Sequence, residues 1–180
     1  MADQLSAKDW IDEGLKALVK HGFTALKAEP LAKALGVSRG SFYWHFKDID
    51  AFHAAILKHW REIAAEQIIA NVEASAKDES PLPHLLRRVF GGKPTLEVAV
   101  RTWATLDPVA RAALQALDRR RLNYVESLFE RSGFPPVVAR ARAQILYWTF
   151  LGFALSDKPL SQARHEAILV ELIKIADAPA

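Results

Sequence analysis

The sequence predicts an all-α protein, and three observations carry that reading. The strong helix formers Ala, Leu, Arg, Lys and Glu dominate its 180 residues. Runs of β-branched residues with two-residue alternation, the mark of half-buried strands, do not occur. Stretches with apolar residues three and four apart are instead broken by the turn signals GGKP (91–94), DP (107–108), SGFPP (132–136) and DKP (157–159).

The first helix is expected from Ala7 to His21, with Trp10, Ile11, Leu15, Leu18 and Val19 as its apolar stripe and Gly22 as its stop. A short second helix spans Ala28 to Leu35 and ends at Gly36; Pro30 is tolerated because it lies in the first turn. The third runs from Arg39 to Phe46 with Ser38 as N-cap. A fourth, longer helix begins near Asp50 and continues to about Ala74. The polar, proline-closed stretch ASAKDESPLP (74–83) reads as a linker. Helices at about 83–90, 94–104, 108–132, 136–156 and 161–176 follow it.

Bulk properties narrow the function. Cysteine is absent, which removes disulfides, thiolate nucleophiles and thiolate metal sites together. The N-terminus lacks the basic-then-apolar layout of a signal peptide, and the longest apolar stretch, AQILYWTFLGFAL (143–155), is short of the roughly 20 residues that span a bilayer. A cytoplasmic protein with no membrane partner is expected. The net charge of +3 is modest, but its distribution is uneven. Between Lys16 and Lys47, six cations (Lys16, Lys20, Lys27, Lys33, Arg39 and Lys47) face the single acid Glu29. A basic window of this kind suits either phosphates or a solvated face.

The stretch GVSRGSFYWHF (36–46) gives the window a purpose. Two short helices joined by a glycine-containing turn form a helix-turn-helix, with Val37 plugging the small core between them. At about 100° per residue, Phe42 and Phe46 share an inward face with Val37. Gly40 and Trp44 fall opposite, flanked by Ser41, Tyr43 and Lys47. Gly40 lets backbone amides approach a phosphate, and Arg39 is long enough for a guanine edge. Ser41 suits a base edge or a phosphate; Tyr43, His45 and Lys47 suit phosphate oxygens. Trp44 either meets thymine methyls and sugars or packs against the first or fourth helix.

GVSRGSFYWHF followed by KDIDAFHAAIL, with LVKHGFTALKAEPLAKAL upstream, closely resembles the helix-turn-helix signature of the TetR family of transcriptional repressors over about residues 7 to 60. The segment 103–134 is also similar to one found in some TetR-like proteins. The resemblance implies an N-terminal three-helix helix-turn-helix DNA-binding domain over 5–64, with the motif at about 28–47. It further implies a C-terminal helical ligand-binding and dimerisation domain over 65–180. Carried onto this chain, it makes Tyr43, His45, Lys47 and Lys27 phosphate contacts, Arg39, Ser41 and Trp44 base readers, and Ser38 and Gly40 part of the same surface. Pro30 and the acidic DID (48–50) depart from the usual pattern.

A single reading helix covers few base pairs, so a homodimer on a two-fold double-stranded DNA operator is expected. The uncharged, all-round apolar stretch 143–155 and the broad apolar surface of the last helix make the natural seam. Ile145, Trp148, Gly152, Phe153, Ile168 and Leu172 are its candidate residues. The resemblance implies a largely apolar small-molecule inducer held among the middle helices, with Trp60, Phe90, Trp103, Leu106, Tyr124 and Tyr147 as candidate lining. It also implies coupling to DNA through the fourth helix. The DRRR cluster (118–121) could hold an anion or pair with Glu126 or Glu130.

Catalysis finds no support. His53 and His59 are six apart and on different faces, and no nucleophile elbow, Walker or dinucleotide motif occurs. No catalytic residue, metal or cofactor is expected. The remaining alternative is a helical interaction module that keeps the fold without operator binding.

Overall fold

A computed structural model describes residues 5–76, 80–156 and 160–178, and every regular element among them is helical. The DKP turn and residues 77–79 of the expected linker lie outside the described residues. The chain divides into two compact units. The first comprises the residues up to Ile63 with Thr95–Gln115, and the second Ala64–Pro94 with Ala116 onward. Residues 95–115, expected within a continuous 65–180, lie in the first unit, where Trp103 stacks on Phe23 with centroids 4.9 Å apart.

In the first unit, α1 (Ala7–His21) starts at a capping box, in which the Asp9 carboxylate accepts from the Ser6 amide at 2.7 Å. Its buried stripe is Trp10, Gly14 and Leu18, at steps of four. Gly14 is there for space. A Cβ at that position would lie 2.6 Å from Ile56 Cδ1 and 2.7 Å from Phe52 Cζ, so α1 and α4 (Ile49–Arg61) approach as closely as a bare backbone allows. A 3₁₀ turn at Phe23–Ala25 leads into α2 (Ala28–Ala34). The helix-turn-helix turn is closed by Gly36 at φ 69°, with Val37 N–H donating to the Ala32 carbonyl at 3.0 Å and Gly36 N–H to Lys33 at 3.2 Å. This pair of bonds is the Schellman arrangement, and its left-handed position favours glycine.

The third helix is shorter than expected. Only Arg39–Phe42 (α3) is α-helical, and residues 43–45 continue as turns. Tyr43, Trp44 and His45 donate to carbonyls three residues back, at 3.1, 3.3 and 3.0 Å. Tightening of this kind is how a short helix satisfies its final carbonyls, and here the chain must turn at once into α4, capped by Asp48. α7 (Thr95–Leu106) and the start of α8 (Pro108–Arg131) complete the unit. Glu97, 5% exposed, is held by Arg101 at 2.7 Å within α7.

The fourth helix does not run unbroken to Ala74. α4 ends at Arg61, Glu62–Glu66 is a π-helical segment, and α5 is Gln67–Ser75. The second unit adds α6 (Pro81–Phe90), the rest of α8, α9 (Pro136–Ala154) and α10 (Gln162–Asp177). Its core gathers Val72, Leu82, Leu85, Leu86, Phe90, Leu128, Phe129 and Leu146. Arg142 donates to the carbonyls of Ala176 and Ala178 at 3.2 and 2.6 Å, satisfying the end of α10, while its guanidinium covers the Phe134 ring at 4.2 Å.

Candidate nucleic-acid interface

Residues 37–47 are sorted sharply by their surroundings. Phe42 is fully buried, edge-on to Trp10 and Phe52 at 5.3 Å each, and Phe46 packs on Phe52 at 5.0 Å. These contacts anchor the reading turn to α1 and α4. Trp44 is 82% exposed, so the alternative in which it packs against the first or fourth helix does not occur. Tyr43 is about half exposed, and Lys27, Ser38, Arg39, Gly40 and Lys47 are all exposed; Ser41 and His45 are half-buried at the edge of the same surface. The structure thus leaves six of the eight expected DNA-contacting residues of segment 38–47 exposed and the other two half-buried.

Several details sharpen the chemistry. Arg39 is folded along its neighbour: Nη2 donates to the Tyr43 hydroxyl at 3.1 Å, and the guanidinium lies 5.8 Å from the Tyr43 ring centre. That hydrogen bond, with the Glu29 carboxylate nearby, pushes the Arg39 pKa up. A Cβ on Gly40 would touch only Ser38 Oγ, at an ordinary 3.6 Å. Nothing in the local packing requires glycine there. Ser38 occupies the N-cap position with extended backbone, but its side chain makes no capping bond. Lys27 stands at the corresponding position of α2. An open notch of about 410 Å³, lined by Glu29, Ala32, Lys33, Val37 and Arg39, lies between α2 and α3.

The candidate inducer residues are distributed over both units. Trp60 and Trp103 are buried in the first unit, where Trp103 also meets His53 at 5.5 Å, and its indole N–H has no acceptor. Leu106 is 70% exposed at the end of α7 and lines no interior. Phe90, Tyr124 and Tyr147 are buried in the second unit. There the Tyr124 hydroxyl donates to Glu73 at 2.8 Å and Tyr147 donates to Asp118. Burial, reinforced by the Glu73 carboxylate, pushes Tyr124 well above the ordinary phenol range. Hydrogen bonds from Arg131 and Tyr124 hold Glu73 below the usual carboxylate range.

The expected seam divides as well. Ile145, Trp148, Gly152 and Ile168 are exposed, joined by Leu155, Val170 and Ile175. Phe153 and Leu172 instead turn toward their own unit's core, Phe153 lying between Phe90 at 5.3 Å and His165 at 5.2 Å. Periodicity could not separate these because helix 143–155 is apolar all round. The DRRR arginines also find partners other than those expected: Arg120 pairs with Glu66 and Arg121 bonds the Ala64 carbonyl. No group of three or more His, Cys, Asp or Glu is placed to hold a metal among the described residues, and no described helix is long and apolar enough to cross a membrane.

A helix-turn-helix whose buried face anchors it and whose exposed face carries Arg, Lys, Ser, Tyr and Trp defines an all-helical DNA-binding regulator. Residues 11–56 match the family model for bacterial regulatory proteins of the tetR family. Over that segment the chain carries the reading head of the TetR family, a family of DNA-binding transcription regulators. Solved structures share the fold over nearly the whole chain. The multidrug binding protein EbrR in complex with imidazole is 23% identical with a TM-score of 0.63, covering 99% of this chain and 98% of its own. EbrR has also been captured with malachite green (21% identity, TM-score 0.64, 92% and 96% covered). A transcriptional regulator from Aquifex aeolicus VF5 is 15% identical at a TM-score of 0.66, with 94% and 98% covered. No curated protein matches the chain by sequence.

Proposed function

We propose that the protein is a repressor that binds a palindromic operator as a homodimer and is released by a small, largely apolar ligand. The observation that carries this reading is the solvent-facing Trp44 set among Arg39, Tyr43 and Lys47, on a turn whose other face is locked into the core. Arg39 and Ser41 would read base edges with Trp44 on thymine methyls, while Lys27, Tyr43, His45 and Lys47 hold phosphates. The exposed, uncharged residues Ile145, Trp148 and Gly152 on α9 and Leu155 at its C-cap, together with exposed Ile168 and Ile175 on α10, support pairing of two copies. Ligand release draws support from EbrR, which shares the fold and binds malachite green, and from the aromatic interior of the second unit around Phe90, Tyr147 and Phe150. A DNA target places the protein in the cytoplasm.

Selection of bound sequences from random double-stranded DNA tests the reading. The expected result is an enriched palindrome whose half-sites are about one helical turn, roughly 34 Å, apart. Enrichment of nothing overturns it and favours an interaction module that kept the fold without operator binding.

A further inference from the structure

The carbonyl just before Lys27 is held from a distance. Leu26 is the centre of an inverse γ-turn: its φ and ψ are −77° and 67°, and the Lys27 amide donates to the Ala25 carbonyl at 2.8 Å. Leu26 is buried, and a carbonyl turned away from water needs a donor inside the protein. The residue whose amide would extend the α2 ladder back to Leu26 is Pro30, which has no N–H. The donor comes instead from α4, where His53 Nε2 lies 3.0 Å from the Leu26 oxygen, 27 residues further along. A carbonyl only accepts, so this bond puts a proton on Nε2. Aromatic neighbours hold the imidazole in place, with centroids at 5.1 Å for Phe23, 5.5 Å for Trp103 and 6.2 Å for Phe52. Every one of these residues belongs to the first unit.

Lys27 is an unfavourable residue for the place it holds. It occupies the N-cap position of α2 with extended backbone, where Ser, Thr, Asp or Asn would cap, and its side chain makes no capping bond. A cation also opposes the positive end of a helix. Pro30 lessens the first cost, because the third position of the helix then has no N–H for a cap to satisfy. Local stability therefore does not select this lysine. We propose that His53 is a positioning residue for DNA binding: by holding the Leu26 carbonyl it fixes the turn from which the exposed Lys27 projects to a phosphate. The other side of Lys27 is fixed by α2 itself, whose Leu31 amide donates to the Lys27 carbonyl at 3.3 Å. Without the His53 bond the chain before Lys27 turns more freely about Leu26, and the ammonium loses its fixed origin. His53 acts through the backbone and not by contact with DNA. The positioning claim rests on the DNA-reading function proposed above, with Lys27 on a phosphate; the hold on the turn does not.

The test uses the full chain with His53→Phe, which keeps a ring among Phe23, Phe52 and Trp103 but loses the donor, and His53→Gln, which restores an N–H at similar reach. Each is made alone and together with Lys27→Ala or Lys47→Ala. Nitrogen NMR of the wild-type chain is expected to show the neutral His53 ring protonated at Nε2. In His53→Phe, exchange of the Lys27 amide rises about tenfold while the middle of α1 keeps its protection, the signature of local opening. Operator affinity falls about fivefold, and the slope of log affinity against log salt drops toward that of Lys27→Ala, a loss of about 0.9 per phosphate. His53→Gln recovers most of both effects. Added to Lys27→Ala, the Phe substitution weakens binding no further; added to Lys47→Ala, it weakens binding by its full fivefold, since only contacting or coupled sites depart from additivity.

A neutral ring protonated at Nδ1 overturns the hold on the turn, as does an unchanged Lys27 amide in His53→Phe. Equal losses with Lys27→Ala and with Lys47→Ala overturn the positioning role, because a loss indifferent to Lys27 is a general loosening of the reading head. An opened Lys27 amide with undiminished operator affinity overturns it too. A salt slope that Lys27→Ala does not move overturns the positioning role while operator binding stands. If His53→Phe does not fold, His53→Met, a flexible apolar chain without a donor, carries the same comparison. If the wild-type chain selects no DNA sequence, the DNA-reading function has failed and the positioning role with it, while the ring tautomer and the amide exchange still judge the hold.

Discussion

The protein's five tryptophans make an instructive comparison. Trp10, Trp60 and Trp103 are buried to within 1%, whereas Trp44 and Trp148 stand 82% and 63% exposed. The two exposed rings sit in opposite company. Trp44 is surrounded by Arg39, Tyr43, His45 and Lys47, a surface of cations and hydrogen-bond donors. Trp148 shares its helix face with Ile145, Gly152 and Leu155, without a charge. An exposed indole says only that a partner is wanted, and its neighbours say which kind. Cations and donors suit a phosphate-bearing duplex, while an uncharged apolar stripe suits another apolar surface, for which a second copy is the economical candidate.

The largest effect that can break this comparison comes from the buried side of the reading turn. Phe42→Ala removes a ring locked among Trp10, Phe46 and Phe52 and costs about 3–5 kcal/mol of stability in denaturant unfolding. An equal loss from Trp44→Ala would contradict the assignment of opposite faces. Next in size, Trp148→Glu places a charge in the apolar stripe. It is expected to sediment at the 20.1 kDa of one chain and to lose operator affinity by about 100-fold, since half the contacts go. A persistent dimer would move the seam elsewhere.

The basic surface supplies the finer tests. Arg39→Ala and Trp44→Ala each weaken operator binding by about 1–3 kcal/mol in a fluorescence titration, with unfolding midpoints unchanged. A matching loss on random DNA would make Arg39 a phosphate contact instead of a reader. Smallest of all, Lys27→Ala and Lys47→Ala each lower the slope of log affinity against log salt by about 0.9 per phosphate contact, twice that for a dimer. A slope that does not move would take that lysine off the interface.

Much of the reading head was legible in the sequence because its determinants are local. The span Ala7–His21, the turn at Gly36 and the inward phase of Phe42 and Phe46 follow from capping, φ preference and helical repeat, each acting over a few residues. Two features had signals that pattern reading passed over. Gly14 sits between Trp10 and Leu18 at steps of four, so a glycine in the buried stripe announces a close helix approach. The five-residue step from Trp60 to Ala65 announces the π segment.

By itself, then, the sequence determined the all-helical class, the helix-turn-helix and the inward phase of Phe42 and Phe46, since short-range periodicity and turn chemistry specify them. Tertiary structure alone decided that Trp44 faces solvent while Trp103 stacks on Phe23. It also decided that Phe153 and Leu172 belong to their own core, and that Arg120 and Arg121 grip residues more than fifty positions earlier in the chain. The physical reason is the same in each case. An aromatic or an arginine carries one chemistry into any environment, and only the packing of distant segments determines which surface, ring or carbonyl it meets.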